Sequence, residues 1–283
     1  MKTKTIKRIL RVICLLILAG SLSGCIYWIR AYQTYLQMDE FDRYFNTVTT
    51  DEFTLQFKEP IMYSKDFVSL SKLYASQDIP TPDGRRWRYW FRKVDANNKL
   101  IVPEVKFYSD LNFNKEGRIT AWSFSSLFLQ IAPPKFIEVS LRSLGGAEID
   151  KEKRQLRANS QLIEKISEDL PRKSAVLAQL GEPLEIKDEG DTEVYMYHFL
   201  LETPRIEKGY EDRALSEVKI SFDKKTGELI RMAGHFAGLK ISINYRKFLD
   251  EASNGSSKAS KMPACLPNWI GKRHGTEIMA DLS

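Results

Sequence analysis

The chain is poor in the residues from which reactive sites are built. Histidine occurs only at His198, His235 and His274, and no pair has the spacing of metal ligands. No cysteine and histidine cluster exists either, which argues against a zinc or copper centre, and no metal or other cofactor is expected. There is no Gly-x-Ser-x-Gly elbow, no phosphate-cradling glycine loop and no His-Glu-x-x-His. The one crowd of acids, Glu182, Glu185, Asp188 and Glu189, lacks an apolar surround to lift one carboxyl into general-acid service, so it is expected to be solvated charge. Catalysis is not expected. Excess charge is missing as well. Five of the six formal positive charges arise ahead of residue 25, where Lys2, Lys4, Lys7, Arg8 and Arg11 meet no acid. Those are five of the 43 cations, so the remaining 38 face 37 acids. A balanced chain is not expected to bind nucleic acid.

Long hydrophobic runs are also lacking, with one exception at the start. After the cationic opening, Ile9 to Gly20 is apolar apart from Arg11, and Ser21-Leu22-Ser23-Gly24 supplies small residues. Basic, apolar, small is the order of a secretory leader, and the apolar part is short for a membrane span. Leu22-Ser23-Gly24-Cys25 resembles the lipobox of bacterial lipoproteins. That resemblance implies cleavage before Cys25, lipidation of its thiol and acylation of its new amine. Each buried methylene contributes about 0.8 kcal/mol, so more than one acyl chain anchors durably. No charge falls between Val12 and Ile29, and Tyr27-Trp28 suits a membrane interface, so an uncleaved single-pass inner-membrane helix is the alternative. Either way the remaining chain lies outside the cytoplasm. Ile26 is not the Asp that resembles an inner-membrane retention signal in enterobacterial lipoproteins, so outer-membrane placement facing the periplasm is expected. With Cys14 in the leader and Cys25 lipidated, Cys265 is left over, a free thiol or an intermolecular bridge. Neither is an internal disulfide, so packed cores must hold the fold.

The expected fold is α+β: two tandem modules, each a small antiparallel sheet with short helices packed on one face. The leader spans 1–24, a tether and juxtamembrane helix 25–48, the first module 49–146, a helical connector 147–169, the second module 170–250 and a mobile tail 251–283. In the juxtamembrane helix Tyr32, Tyr35, Leu36 and Phe41, with Tyr44 or Phe45, recur at helical spacing and are expected to pack on the first module. Alternation marks Phe53–Phe57 as a strand, and Ser64 is the expected N-cap of a short helix. Pro80-Thr-Pro-Asp-Gly84 is a loop. Trp87–Val94, Val105–Phe113 and Ile119–Ile131 are strands, the last two joined by a turn at Asn114–Gly117. Pro133-Pro134 opens a helix that Gly145-Gly146 closes. The second half has a helix stopped by Gly181-Glu-Pro183, then strands Glu193–Leu201, Glu217–Phe222, Leu229–Phe236 and Leu239–Tyr245.

The halves echo one another. Glu104-Val-Lys-Phe107 matches Glu217-Val-Lys-Ile220, and Phe113-Asn-Lys-Glu-Gly-Arg-Ile119 matches Phe222-Asp-Lys-Lys-Thr-Gly-Glu-Leu229 with one inserted residue. Leu180-Gly-Glu-Pro183, Tyr195-Met-Tyr197, Val218-Lys-Ile-Ser-Phe-Asp223 and Thr226-Gly227 together resemble the SmpA/OmlA-type outer-membrane lipoproteins. Those accompany the β-barrel assembly machinery and share a fold with secreted β-lactamase inhibitor proteins. The resemblance implies helices on one face of a small sheet, used for protein binding. This chain departs from that family in its length and its two copies, so a barrel-assembly role is analogy alone.

One stretch stands out as a surface. In Arg85-Arg-Trp-Arg-Tyr-Trp-Phe-Arg-Lys93, a strand sends Arg86, Arg88, Trp90 and Arg92 one way and Trp87, Tyr89 and Phe91 the other. Guanidinium groups beside an indole suit acidic glycan, lipid phosphate or the acidic patch of a partner. Alternation by itself also yields a solvated strand face, and the strand carrying Glu104 and Lys106 is placed to neutralise part of the row. The functional expectation is a lipid-anchored, non-enzymatic envelope protein that binds another protein. The alternative is a binder of anionic envelope glycan or lipid through residues 85–93.

Overall fold

The computed structural model describes residues 26–150, 155–157, 163–236, 239–250 and 277–280. Six α-helices occur among them, besides three short 3-10 turns: α1 (residues 26–37), α2 (Phe41–Tyr44), α3 (Ser64–Ser71), α4 (Ser126–Leu129), α5 (Pro134–Arg142) and α6 (Lys173–Leu180). The strands of the first half are β1 (Phe45–Thr49), β2 (Phe53–Phe57), β3 (Gln77–Thr81), β4 (Gly84–Val94), β5 (Lys106–Asn114) and β6 (Ile119–Phe124). Then follow β7 (Glu148–Asp150), β8 (Gln155–Arg157), β9 (Glu185–Glu189), β10 (Thr192–Glu202), β11 (Leu215–Asp223), β12 (Leu229–Phe236), β13 (Leu239–Asn244) and β14 (Glu277–Ala280).

The main sheet is antiparallel throughout, in the order β1-β2-β6-β5-β4-β10-β11-β12-β13, and continues through β14 to β8 and β7. It is strongly curled. On a flat sheet, strands four places apart lie about 19 Å from each other. Phe107 on β5 and Phe236 on β12 are that far apart in strand order, yet their ring centroids are 6.1 Å apart. Phe236 also meets Phe91 edge-on at 5.9 Å, and Phe107 meets Phe199 at 5.0 Å. The concave side is thus an aromatic core, where each buried ring contributes roughly 1.5–3 kcal/mol. Phe128 of α4 and Phe136 of α5 are buried there, the latter edge-on to Tyr245. Among the described residues no helix is paired with the outward side of the central strands, the ordinary state of a one-sided antiparallel sheet.

The expected separation into two small sheets gives way to one continuous sheet, because the last five residues of β4 pair with the last five of β10. Around that seam the halves match in detail. Both β4 and β10 have 11 residues, β5 and β11 have 9, and α3 and α6 have 8. The first part of β4 pairs with β3, as the first part of β10 pairs with β9. Opposite the step from Asn112 to Phe113 of β5 the partner β6 has one extra residue, Thr120, and opposite the step from Ser221 to Phe222 of β11 the partner β12 has one extra residue, Ile230. Both α3 and α6 end on a residue at φ 67, Lys72 and Gly181. Each helix C-terminus is capped by a cation from the other half. Lys93 on β4 donates to the carbonyls of Leu180 and Glu182, both at 2.6 Å, and Arg213 donates to those of Leu70 and Ser71 at 2.9 and 3.0 Å. A cation beside those carbonyls complements the negative end of a helix.

Several local expectations are corrected. The strand expected over 119–131 stops at Phe124, and α4 follows at once. Pro80 lies in β3, an edge strand that tolerates its missing N–H, rather than in a loop. The acids at 185–189 form β9, exposed along its length, with charges that discourage pairing with another chain. Tyr63, not Ser64, occupies the N-cap of α3, its N–H bonded to the Asp66 carboxylate at 2.8 Å. In 147–169, where a helical connector is expected, the described residues hold β7, β8 and a bridge from Ile166 to Leu249, and no helix. Of 251–283 only β14 is described, and Cys25, Cys265 and His274 lie outside the described residues. Of the juxtamembrane helix expected to residue 48, α1 forms only over 26–37, and the chain passes through α2 into strand β1 at Phe45; Tyr32 and Leu36 face outward instead of packing on the fold, whereas Phe41 and Phe45 are buried.

Candidate functional site

β4 is in the middle of the sheet, so its alternation becomes two different surfaces. Trp87, Tyr89 and Phe91 turn into the core, and Arg86, Arg88, Trp90 and Arg92 turn out, as their spacing requires. Across the seam with β5, Arg86 stands opposite Asn112, Arg88 opposite Asp110, Trp90 opposite Tyr108 and Arg92 opposite Lys106. On the other side Arg92 stands opposite Leu200, Trp90 opposite Glu202 and Val94 opposite His198.

The arginines are not free. Arg88 grips Asp110 with a two-toothed hydrogen bond, Nε to Oδ1 at 2.8 Å and Nη2 to Oδ2 at 2.7 Å. Its guanidinium carbon is 3.7 Å from the Tyr108 ring centre and 5.2 Å from that of Trp90. Trp90 and Tyr108 meet edge to face at 4.9 Å, and the Lys106 ammonium is 5.1 Å from the indole. Arg92 donates to Glu104 and approaches Glu202 at 3.7 Å, and Lys106 reaches Glu104 at 3.3 Å. Arg86 is the loosest, 4.0 Å from Asp110 with its side chain 41% exposed. The Asp110 hydrogen bond raises Arg88 above the usual arginine value. Burial, and then the hydrogen bond to Glu52, push the Tyr108 phenol up to about 12.

This arrangement brings all four expected residues onto one face and joins them to four that the sequence did not single out: Tyr108, Asp110, Glu52 and Glu202. The only available signal was the alternation Lys106, Tyr108, Asp110, Asn112. The connection from β4 to β5 is too long for a turn to fix their register, so the Arg88–Asp110 contact was not legible. Chemically, the face is a block of stacked guanidinium and aromatic groups whose four cations share the carboxylates of Asp110, Glu104 and Glu202. A phosphate seeking the Arg88 fork would have to displace Asp110.

His198 belongs to the same face. Neither ring nitrogen has a hydrogen-bond partner, and Nε2 is 3.9 Å from Glu217. Among the described residues no cluster of three or more His, Cys, Asp or Glu is placed to hold a metal ion. The acids around β9 stay apart as solvated charge, with Lys224 holding Asp188 below the usual carboxylate range. No helix among the described residues is long and apolar enough to cross a membrane. No family model matches the chain, and no characterised protein or solved structure matches it.

Proposed function

We propose that this chain is a lipid-anchored, non-enzymatic protein of the cell envelope, and that it binds another protein through the outward face of β4, β5 and β10. The observation that carries the reading is the Arg88 clamp. Its guanidinium is fixed by Asp110 and stacked on Tyr108 beside Trp90, on a sheet face that no helix among the described residues covers. Trp, Tyr and Arg dominate the energetics of protein interfaces, and a pre-ordered side chain loses little freedom on docking. Pairing with Asp110, Glu104 and Glu202 leaves the face near neutral, which suits a protein better than a polyanionic glycan or lipid.

The anchor is Cys25, in the outer membrane facing the periplasm. The matched lengths, bulges and reciprocal caps of the two halves support an origin by duplication of one helix-and-sheet unit, in keeping with the likeness to SmpA/OmlA-type lipoproteins. An assembly or scaffold role follows from that likeness.

The test is photo-crosslinking in intact cells from a reactive residue placed at Leu200, with the same residue at Lys135 on α5 as the control. One protein captured from position 200 and not from 135, and lost in Trp90→Ala/Tyr108→Ala, is the expected result. Failure to capture protein from position 200 would overturn the reading. If purified envelope glycan or lipid binds instead and Arg86→Ser/Arg88→Ser/Arg92→Ser abolishes that binding, the face belongs to an anionic ligand. Mass analysis of the mature chain, beginning at an acylated Cys25, checks the anchor.

A further inference from the structure

Helix α1 is docked the wrong way round for a chain surrounded by water. An amphipathic helix normally packs through its apolar stripe and shows its polar one. Here the inward side is polar. Thr34 and Gln37 are buried, Gln37 donating to the Glu59 carbonyl at 3.0 Å. Arg30 turns in to form a forked ion pair with the fully buried Asp66, and the Tyr35 hydroxyl donates to the Ala147 carbonyl at 2.7 Å. The outward side is Ile26, Trp28, Ile29, Tyr32 and Leu36, each between 43% and 53% exposed. Positions 28, 32 and 36 are one helical turn apart, with 29 beside them, so they form a single stripe. It carries no charge, because the one ionised residue of α1 is engaged with Asp66.

We infer that this stripe rests in the interface of the bilayer that holds the anchor, among headgroups and upper acyl chains, so that the domain lies docked on the membrane instead of swinging from it. The inference rests on the anchor reading above, in either its lipidated or its single-pass form. The stripe begins at the residue after Cys25. Since a chain extends at most about 3.5 Å per residue, an anchor at 25 keeps Trp28 within roughly 11 Å of it. Beyond Trp28 the nine remaining residues of α1 are about 14 Å long and are tied to the fold by the polar contacts, and laying them along the same surface is what takes their apolar stripe out of water. Tyr27, Trp28 and Tyr32 are the residue types enriched at membrane interfaces. The exposed acids Asp39 and Glu40 follow immediately, so the favoured surface is one of net-neutral headgroups, held by apolar contact and insensitive to salt.

The experiment takes the full chain purified from its host membrane and reconstituted in phosphatidylcholine vesicles, with Cys14 and Cys265 replaced by serine, and Cys25 as well where mass analysis finds its thiol unlipidated. An environment-sensitive fluorophore is placed at Leu36→Cys, or at Lys135→Cys on α5 as the control. With bromine-labelled acyl chains, the label at 36 is expected to lose most of its emission, at low and high salt alike, and the label at 135 to lose none. In an Ile29→Glu/Tyr32→Glu variant the label at 36 regains its emission while the protein still floats with the vesicles. A label at 36 that is unquenched in the otherwise unaltered chain while the protein floats would overturn the inference and leave the anchor standing. So would a label shielded only at high protein concentration, which would assign the stripe to a second copy of the chain. Protein that does not float at all refutes the anchor reading itself.

Discussion

Replacing Lys93 by methionine tests whether the two halves are held together by the reciprocal helix caps. Lys93 is 4% exposed, and its ammonium donates to the carbonyls of Leu180 and Glu182 at 2.6 Å and sits 5.1 Å from the Tyr197 ring. Methionine preserves most of the volume but leaves both carbonyls without that donor. Hydrogen bonds involving a charged group contribute about 1.5–3 kcal/mol each. Against that stands the desolvation of the buried ammonium, which is several kcal/mol before its partners are counted. The net expectation is a loss of about 2–4 kcal/mol at pH 7, from the upper part of those two hydrogen bonds less the relieved desolvation.

Burial lowers Lys93 below the ordinary 10.5, with the Glu182 charge opposing. The unfolded chain therefore holds that proton more tightly, and stability rises as pH climbs from the lowered value toward 10.5. Neutral lysine can still donate, so the gap between the native chain and Lys93→Met widens over that window. Urea unfolding of the detergent-solubilised full chain, followed by tryptophan fluorescence at pH 7 and at pH 9.5, reads both effects. A variant as stable as the native chain at pH 7 would refute the cap as a stabilising contact. A gap that narrows with pH would refute the electrostatic account of it.

Other perturbations follow from the same packing. Burial holds the phenols of Tyr89, Tyr197 and Tyr245 above the ordinary 10.0. Their contribution is intact below pH 10 and is lost as pH rises past it, because only the unfolded chain ionises there. Tyr245→Phe should make that alkaline loss shallower while costing about 1 kcal/mol at neutral pH through its hydrogen bond to the Ile131 carbonyl; a pH series of thermal melts shows both. Gly84→Ala would place a methyl 2.0 Å from the Phe113 carbonyl oxygen, so the β4–β5 pairing must part at that end. A loss of about 3 kcal/mol or more is expected in chemical denaturation, compared with much less at the open Gly190. Arg30→Met strands the buried Asp66 carboxylate and should cost about 3 kcal/mol, most of it recovered in Arg30→Met/Asp66→Asn, as a double-mutant cycle would record.

The sequence by itself determined what depends on neighbours along the chain. Period-two alternation assigned the outward and inward residues of β4, and the Asn114–Gly117 and Asp223–Gly227 turns located two hairpins, each closed by a hydrogen bond between its end residues. The α+β class and most strand positions followed from such local signals, because alternation and turn chemistry act over a few residues. Tertiary structure decided everything set by register between distant segments. Pairing β4 with β10 turned two small sheets into one, and pairing β4 with β5 placed Asp110 under Arg88. The inverted docking of α1 was equally hidden. Its apolar spacing identified a stripe but carried no direction, and the direction was chosen by Arg30, Gln37 and Tyr35 finding polar partners in 59–66 and at Ala147. A buried polar group needs a partner wherever in the chain it lies, and that requirement, invisible to periodicity, outweighed the helix's apolar side.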